Sequence, residues 1–125
     1  MNKVNMNIWG RPIELSIAFD CYGGEDILPE QREALEKLCS STETIENAKA
    51  TVEDYCLTHN RHDIGECGIT NIFKYVMPYG LFVRRPVSSD RYVGLMCKYR
   101  FNPEDGLVVM FKNETVYDIG TSDIL

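Results

Sequence analysis

The chain has 125 residues, 44% hydrophobic and 26% charged, with a formal net charge of −6 and a sequence pI near 4.9. That balance excludes a disordered or fibrous chain, and the negative charge disfavours nucleic acid and anionic lipid while suiting a partner with a basic surface. At this length a single core hides about 65–68% of the unfolded surface, so one domain over residues 1–125 is expected.

Val4, Met6 and Ile8 alternate with Lys3, Asn5 and Asn7, and Gly10-Arg11-Pro12 breaks the run. A clearer strand follows, with Ile13, Leu15, Ile17, Phe19 and Cys21 on one face and Glu14, Ser16, Ala18 and Asp20 on the other. Together these predict a first hairpin, ended by the acidic loop Tyr22 to Asp26. Pro29 in a first helical turn, followed by Glu30 and the stripe Ala34, Leu35, Leu38 and Cys39, predicts a helix from Pro29 to Cys39. Ser40 to Glu43 then supplies caps for a second helix with the stripe Ile45, Ala48, Val52, Tyr55 and Cys56, ending near His59. The short link predicts that the two helices return antiparallel, each offering an apolar face to a sheet.

Asn60 to Gly68 reads as a loop, and Ile69 to Met77 as a short helical turn. Pro78 ends that turn, and Tyr79-Gly80 leads into a short strand, Leu81 to Arg84. The strongest pattern is a hairpin: Tyr92 to Phe101 alternates, Leu107 to Phe111 is apolar on both sides, and Asn102-Pro103-Glu104-Asp105-Gly106 between them is turn chemistry. A second turn at Lys112-Asn113-Glu114 leads to Thr115 to Ile119, which Gly120 stops. The expected fold is α+β, a mostly antiparallel sheet of five or six strands with an antiparallel helix pair packed on one face.

The beginning of the sequence has no apolar signal core, and no apolar run is long enough for a membrane span, so a cytoplasmic chain without a membrane partner is expected. Five widely spaced cysteines without a C-x-x-C pair fit reduced, buried thiols.

Gly94 to Leu107, Met110-Phe111-Lys112-Asn113 and Ile119 to Leu125 carry a resemblance, supported by Ile13-Glu14-Leu15, Gln31 to Leu35 and Asn71 to Pro78. On these segments the chain resembles an uncharacterised family of small bacterial single-domain proteins, a domain of unknown function, some of whose members look like toxin-immunity proteins. The resemblance implies a bacterial, cytosolic single domain and assigns no functional residues. The family more often carries a histidine where Asp105 stands, so the loop has no family-wide chemical role to transfer.

Cys56, His59, His62 and Cys67 form the most site-like cluster, C-x2-H-x2-H-x4-C, with ligand types that zinc accepts. The spacing matches no standard finger, and the plainer account is a buried Cys56, His59 at a helix C-terminus and a surface His62. Cys21 lacks a local base or cation to activate it as a nucleophile. The acidic loops, above all Glu25, Asp26, Glu104 and Asp105, suit partner binding, because carboxylates steer a basic surface over long range. Trp9, Tyr22 and Tyr79 near turns are either apolar anchors for such an interface or core residues. Phosphate loops, H-E-x-x-H, G-x-S-x-G and basic RNA-binding signatures are missing. The expectation is a non-catalytic protein-binding domain without cofactor, with toxin immunity as its biological form. The alternatives are a small metal-dependent enzyme built on His59 and His62, or an accessory module of a larger assembly.

Overall fold

In the computed structural model, residues 3–21 and 26–125 are described. Six strands form one sheet in chain order: β1 (Lys3–Ile8), β2 (Arg11–Phe19), β3 (Val76–Val83), β4 (Tyr92–Tyr99), β5 (Leu107–Lys112) and β6 (Thr115–Gly120). Neighbours pair antiparallel except β2 and β3, which run parallel from Ser16 beside Gly80 to Phe19 beside Val83. A parallel pair needs a crossover, and α1 (Pro29–Ser40) with α2 (Thr42–Ile64) provides it.

Gln31 fixes where the crossover begins. Its side chain is fully buried, and each of its polar atoms has a partner. The Oε1 atom accepts the Leu28 N–H at 2.9 Å, while Nε2 donates to the Asp20 carbonyl at 2.8 Å and the Val83 carbonyl at 3.3 Å. The first bond is half of a capping box, since Leu28 at the N-cap has no side-chain oxygen to return. The other two bonds tie the first turn of α1 to the ends of β2 and β3.

The register places Leu15, Leu81, Val83, Leu95, Val109 and Phe111 on one side of the sheet. These residues belong to one hydrophobic cluster with Ala34 and Leu38 of α1 and Ile45, Ala48, Val52 and Cys56 of α2. The helices reach different strands, α1 approaching β3 and β4, and α2 approaching β1 and β6. A single residue, Ser41, links them, and Ser41 N–H bonds the Leu38 carbonyl at 2.9 Å. So tight an elbow leaves each helix to pack on its own part of the sheet.

Trp9 forms the β1–β2 turn with Gly10, both at positive φ (54° and 84°). A tryptophan there costs about 1–2 kcal/mol of backbone strain. Burial of the indole to 6% exposure, an Nε1–H bond to the Ile45 carbonyl at 2.9 Å and a backbone N–H bond to Glu46 at 3.1 Å offset it. Trp9 is thus a core residue. The same end of α2 lines a hollow with Glu114, Thr115 and Val116 at the opposite edge of the sheet. Five flat strand spacings would separate the edges by about 24 Å, about twice the diameter of a helix with its side chains, so the sheet bends towards α2 to bring both edges to it.

Three segments differ from expectation. The second helix runs beyond His59 to Ile64, passing a non-helical Asn60 (φ −135°, ψ 34°), because Ile64 is buried in the core and Gly65 (φ 68°) caps the end. The strand expected from Leu81 begins at Val76, with Pro78 inside it and Tyr79 as an extra residue between the Pro78 and Gly80 pairings. Parallel pairing with β2 starts only at Gly80, so the N–H that Pro78 lacks forfeits no bond to β2. The turn expected over Ile69 to Met77 contracts to a 3-10 turn at Ile72–Lys74.

β5 is buried on both sides, as its sequence predicts. Val108 and Met110 lie on the sheet face opposite Val109 and Phe111 and are 2% and 1% exposed. Their cover is the 3-10 turn Ser122–Ile124 with Leu125, which packs where a Cβ on Gly94 would stand, 2.7 Å from the Leu125 side chain. The β4–β5 turn forms as its residues dictate, with Asn102 accepting N–H groups from Asp105 at 3.2 Å and Gly106 at 2.8 Å, and Gly106 at φ 65°.

Replacing Gln31 with Leu removes the bonds to the Asp20 carbonyl and from the Leu28 N–H, and urea unfolding should show a loss of about 2–4 kcal/mol. Gly65 and Gly106 share the left-handed conformation, but a Cβ meets nothing within 4 Å at Gly65 and the Cys97 carbonyl oxygen at 2.6 Å at Gly106. Gly65→Ala should therefore cost about 1–2 kcal/mol and Gly106→Ala clearly more. Equal losses at the two glycines would contradict the geometry of the turn.

Candidate functional site

α2 and β6 form the two walls of a trough. The buried stripe Ile45, Ala48, Val52 and Cys56 turns one side of α2 to the core, which leaves Thr44, Thr51 and Thr58, spaced by seven, along another line of the helix. Opposite them stands β6, which among the described residues pairs only with β5. One hollow of about 370 Å³ lies between Thr51, Asp54, Tyr55 and Thr58 of α2 and Tyr117 and Asp118 of β6. A second, of about 270 Å³, lies between Thr44 and Asn47 and the turn residues Glu114 and Thr115. Both include Thr51 and Val116, so they form one continuous trough.

Two carboxylates mark its rim. Among the described residues neither Asp54 nor Asp118 has a cation within ion-pair reach. Asp118 Oδ1 instead accepts the N–H of the next residue, Ile119, at 2.9 Å. A bulge between the Phe111 and Met110 pairings makes Tyr117 the extra residue of β6 and leaves it 59% exposed. Its ring meets Tyr92 edge to face at 5.7 Å, with Lys112 Nζ 5.3 Å from the ring centre. On the helix wall Tyr55 stacks on His59 at 4.0 Å between ring centres. Burial first, then the neighbouring Cys56 and Asp118, push the Tyr55 phenol above its ordinary range, so it stays a neutral hydrogen-bonding group at physiological pH.

The cysteine and histidine quartet does not assemble. Cys56 is fully buried on the core side of α2, whereas His59, His62 and Cys67 are exposed. The continued helix carries His62 along the axis when a zinc site would need the chain to fold back. Among the described residues no group of three or more histidine, cysteine or carboxylate side chains is placed to hold a metal ion. His59 Nδ1 lies 2.9 Å from the Tyr55 carbonyl, a position within α2 that replaces the expected helix end.

The acidic residues expected to form a partner surface are divided. Glu25 and Tyr22 lie outside the described residues. Asp26 is exposed and precedes α1. Glu104 and Asp105 are exposed in the turn between β4 and β5. Tyr79, 44% exposed, lines a hollow with Glu104 and Asp105. Asp54 escapes the sequence reading because its importance comes from facing β6, although the repeat of Thr44, Thr51 and Thr58 hinted at a separate helix face.

All five cysteines are free thiols. Burial pushes the Cys39, Cys56 and Cys97 thiols upward, which lowers their thiolate fraction at any pH below the shifted value and opposes nucleophilic chemistry. Among Cys56, Cys67 and Cys97, a chromogenic disulfide at pH 8 should label Cys67 rapidly and the other two only on the timescale of unfolding. Rapid labelling of Cys97 in the folded chain would contradict its burial.

Neither a curated protein nor a solved structure matches the chain. A family model described as "Domain of unknown function (DUF6985)" matches residues 1–125, and the chain belongs to that family.

Proposed function

We propose that this chain is a non-catalytic protein-binding domain for a partner with a basic surface, and that its biological form is the neutralisation of a toxin in a bacterial cytoplasm. The observation that carries the reading is the trough between α2 and β6, rimmed by Asp54 and Asp118, which have no cationic partner among the described residues. A net charge of −6 adds attraction at longer range, with Asp26, Glu104 and Asp105 contributing. The reading takes the two helices to lie together on the apolar side of the sheet, which leaves the outer edge of β6 for contact. Five free thiols support a reducing compartment.

Coexpression with the products of neighbouring genes, followed by titration calorimetry over a salt series, tests this reading. The expected result is a basic partner whose toxicity is suppressed, with affinity falling as salt rises. Asp54→Asn with Asp118→Asn should slow association by about tenfold while the fold is retained. If no neighbouring product binds or is neutralised, or if binding ignores both salt and the double substitution, the reading fails.

A further inference from the structure

The two edges of the sheet are finished differently. β1 carries Lys3, Asn5 and Asn7 exposed, and Lys3 pairs with Glu14 of β2 at 3.3 Å, so polar and charged side chains guard that edge. β6 instead faces the trough. The Ile119 N–H takes its acceptor from the Asp118 carboxylate at 2.9 Å, the role that a carbonyl of another strand would fill.

The dimensions suit one strand. β6 has six residues and extends about 20 Å. The helix wall from Thr44 to His59 rises over fifteen residues, about 22 Å. Thr44, Asn47, Thr51, Asp54 and Thr58 are the short side chains of that wall, with the stacked Tyr55 and His59 at its far end, and the two hollows provide about 370 and 270 Å³ for the side chains of an extended segment.

We propose that β6 accepts a seventh strand, an extended segment of a partner protein carrying a lysine or arginine between β-branched or aromatic residues. Resting on the protein-binding reading above, this assigns its mode and the chemistry of the recognised segment. The incoming backbone takes over the Ile119 N–H, and the displaced Asp118 carboxylate, with Asp54 across the trough, receives the basic side chain. Main-chain hydrogen bonds supply affinity, and the carboxylates supply selection. Charge also decides between occupants. A second copy pairing β6 to β6 across a twofold axis would bring Asp118 towards its own copy, a like-charge contact that a basic segment avoids.

The test is selection of linear peptides from a displayed random library against the intact chain, followed by amide hydrogen exchange and nitrogen–proton correlation spectra with the selected peptides. The expected peptides carry Lys or Arg flanked by β-branched or aromatic residues. They should slow exchange along Val116 to Ile119 by at least about tenfold. Asp118→Asn should weaken them about tenfold, and N-methylation of alternate peptide amides should abolish binding. Recovery of no binder, protection confined to another surface, or a β6-paired dimer in light scattering would each overturn strand addition. A neutralised basic partner that leaves β6 unprotected would preserve the protein-binding reading and reject this mode. Strand-adding peptides without any neighbouring toxin would support the mode and reject the immunity role.

Discussion

A parallel pair in an otherwise antiparallel sheet sets the central constraint. β2 and β3 run in the same direction, so the intervening chain must travel back along the sheet, and both helices belong to that return path. Gln31 secures its start by joining the first turn of α1 to the carbonyls of Asp20 and Val83. Asp20 N–H also reaches the Val83 carbonyl, at 2.9 Å, so two donors converge on that oxygen. A buried amide suits this place because glutamine can donate to the sheet while accepting from Leu28. A carboxylate in its position would face two carbonyl oxygens with no proton to share.

The second organising feature is the bend of the sheet towards α2. Trp9 draws the β1–β2 turn onto the start of the helix, while the β5–β6 turn comes near the same helical turns from the opposite edge. That second turn is held in place by Arg91, whose guanidinium makes two 2.9 Å bonds to the Glu114 carboxylate and whose N–H bonds Asn113 at 2.9 Å. The hydrogen bonds to Glu114 raise the Arg91 pKa further above an already high value. Asn113 and Glu114 both adopt positive φ there, a conformation this network holds. The position of β6 opposite α2, and hence the trough, depends on the turn.

Much of this was legible in local pattern. Alternation identified β2 and β4, apolar residues on both sides of β5 foretold its double cover, and Asn102, Pro103 and Gly106 specified the turn between them. Where tertiary contacts compensate for an unfavourable local signal, the sequence misleads. Ile64 is a single apolar residue after a polar stretch, and only its place in the core extends α2 past Asn60. Pro78 looks like an interruption until the strand pairing shows that contact with β2 begins only at Gly80. Leu125 covers Val108 and Met110 from a tail whose pattern gives no direction. The trough is hidden for a related reason: residues 44–59 and 114–119 carry no shared motif, and their relation exists only once the sheet bends.

The molecule therefore joins a tightly tied centre to a margin that faces α2 across open space. β3 and β4 have partners on both sides, while β6 is paired on one side and meets α2 across open space. Native-state hydrogen exchange on the unbound chain tests this contrast most directly. The β4 amides at Leu95 and Cys97 should exchange only through global unfolding, while β6 amides directed away from β5 should exchange through small local openings at far lower free energy. Equal protection on both margins of β6 would mean that its edge is already occupied, contradicting the account of this strand as the surface left for a partner.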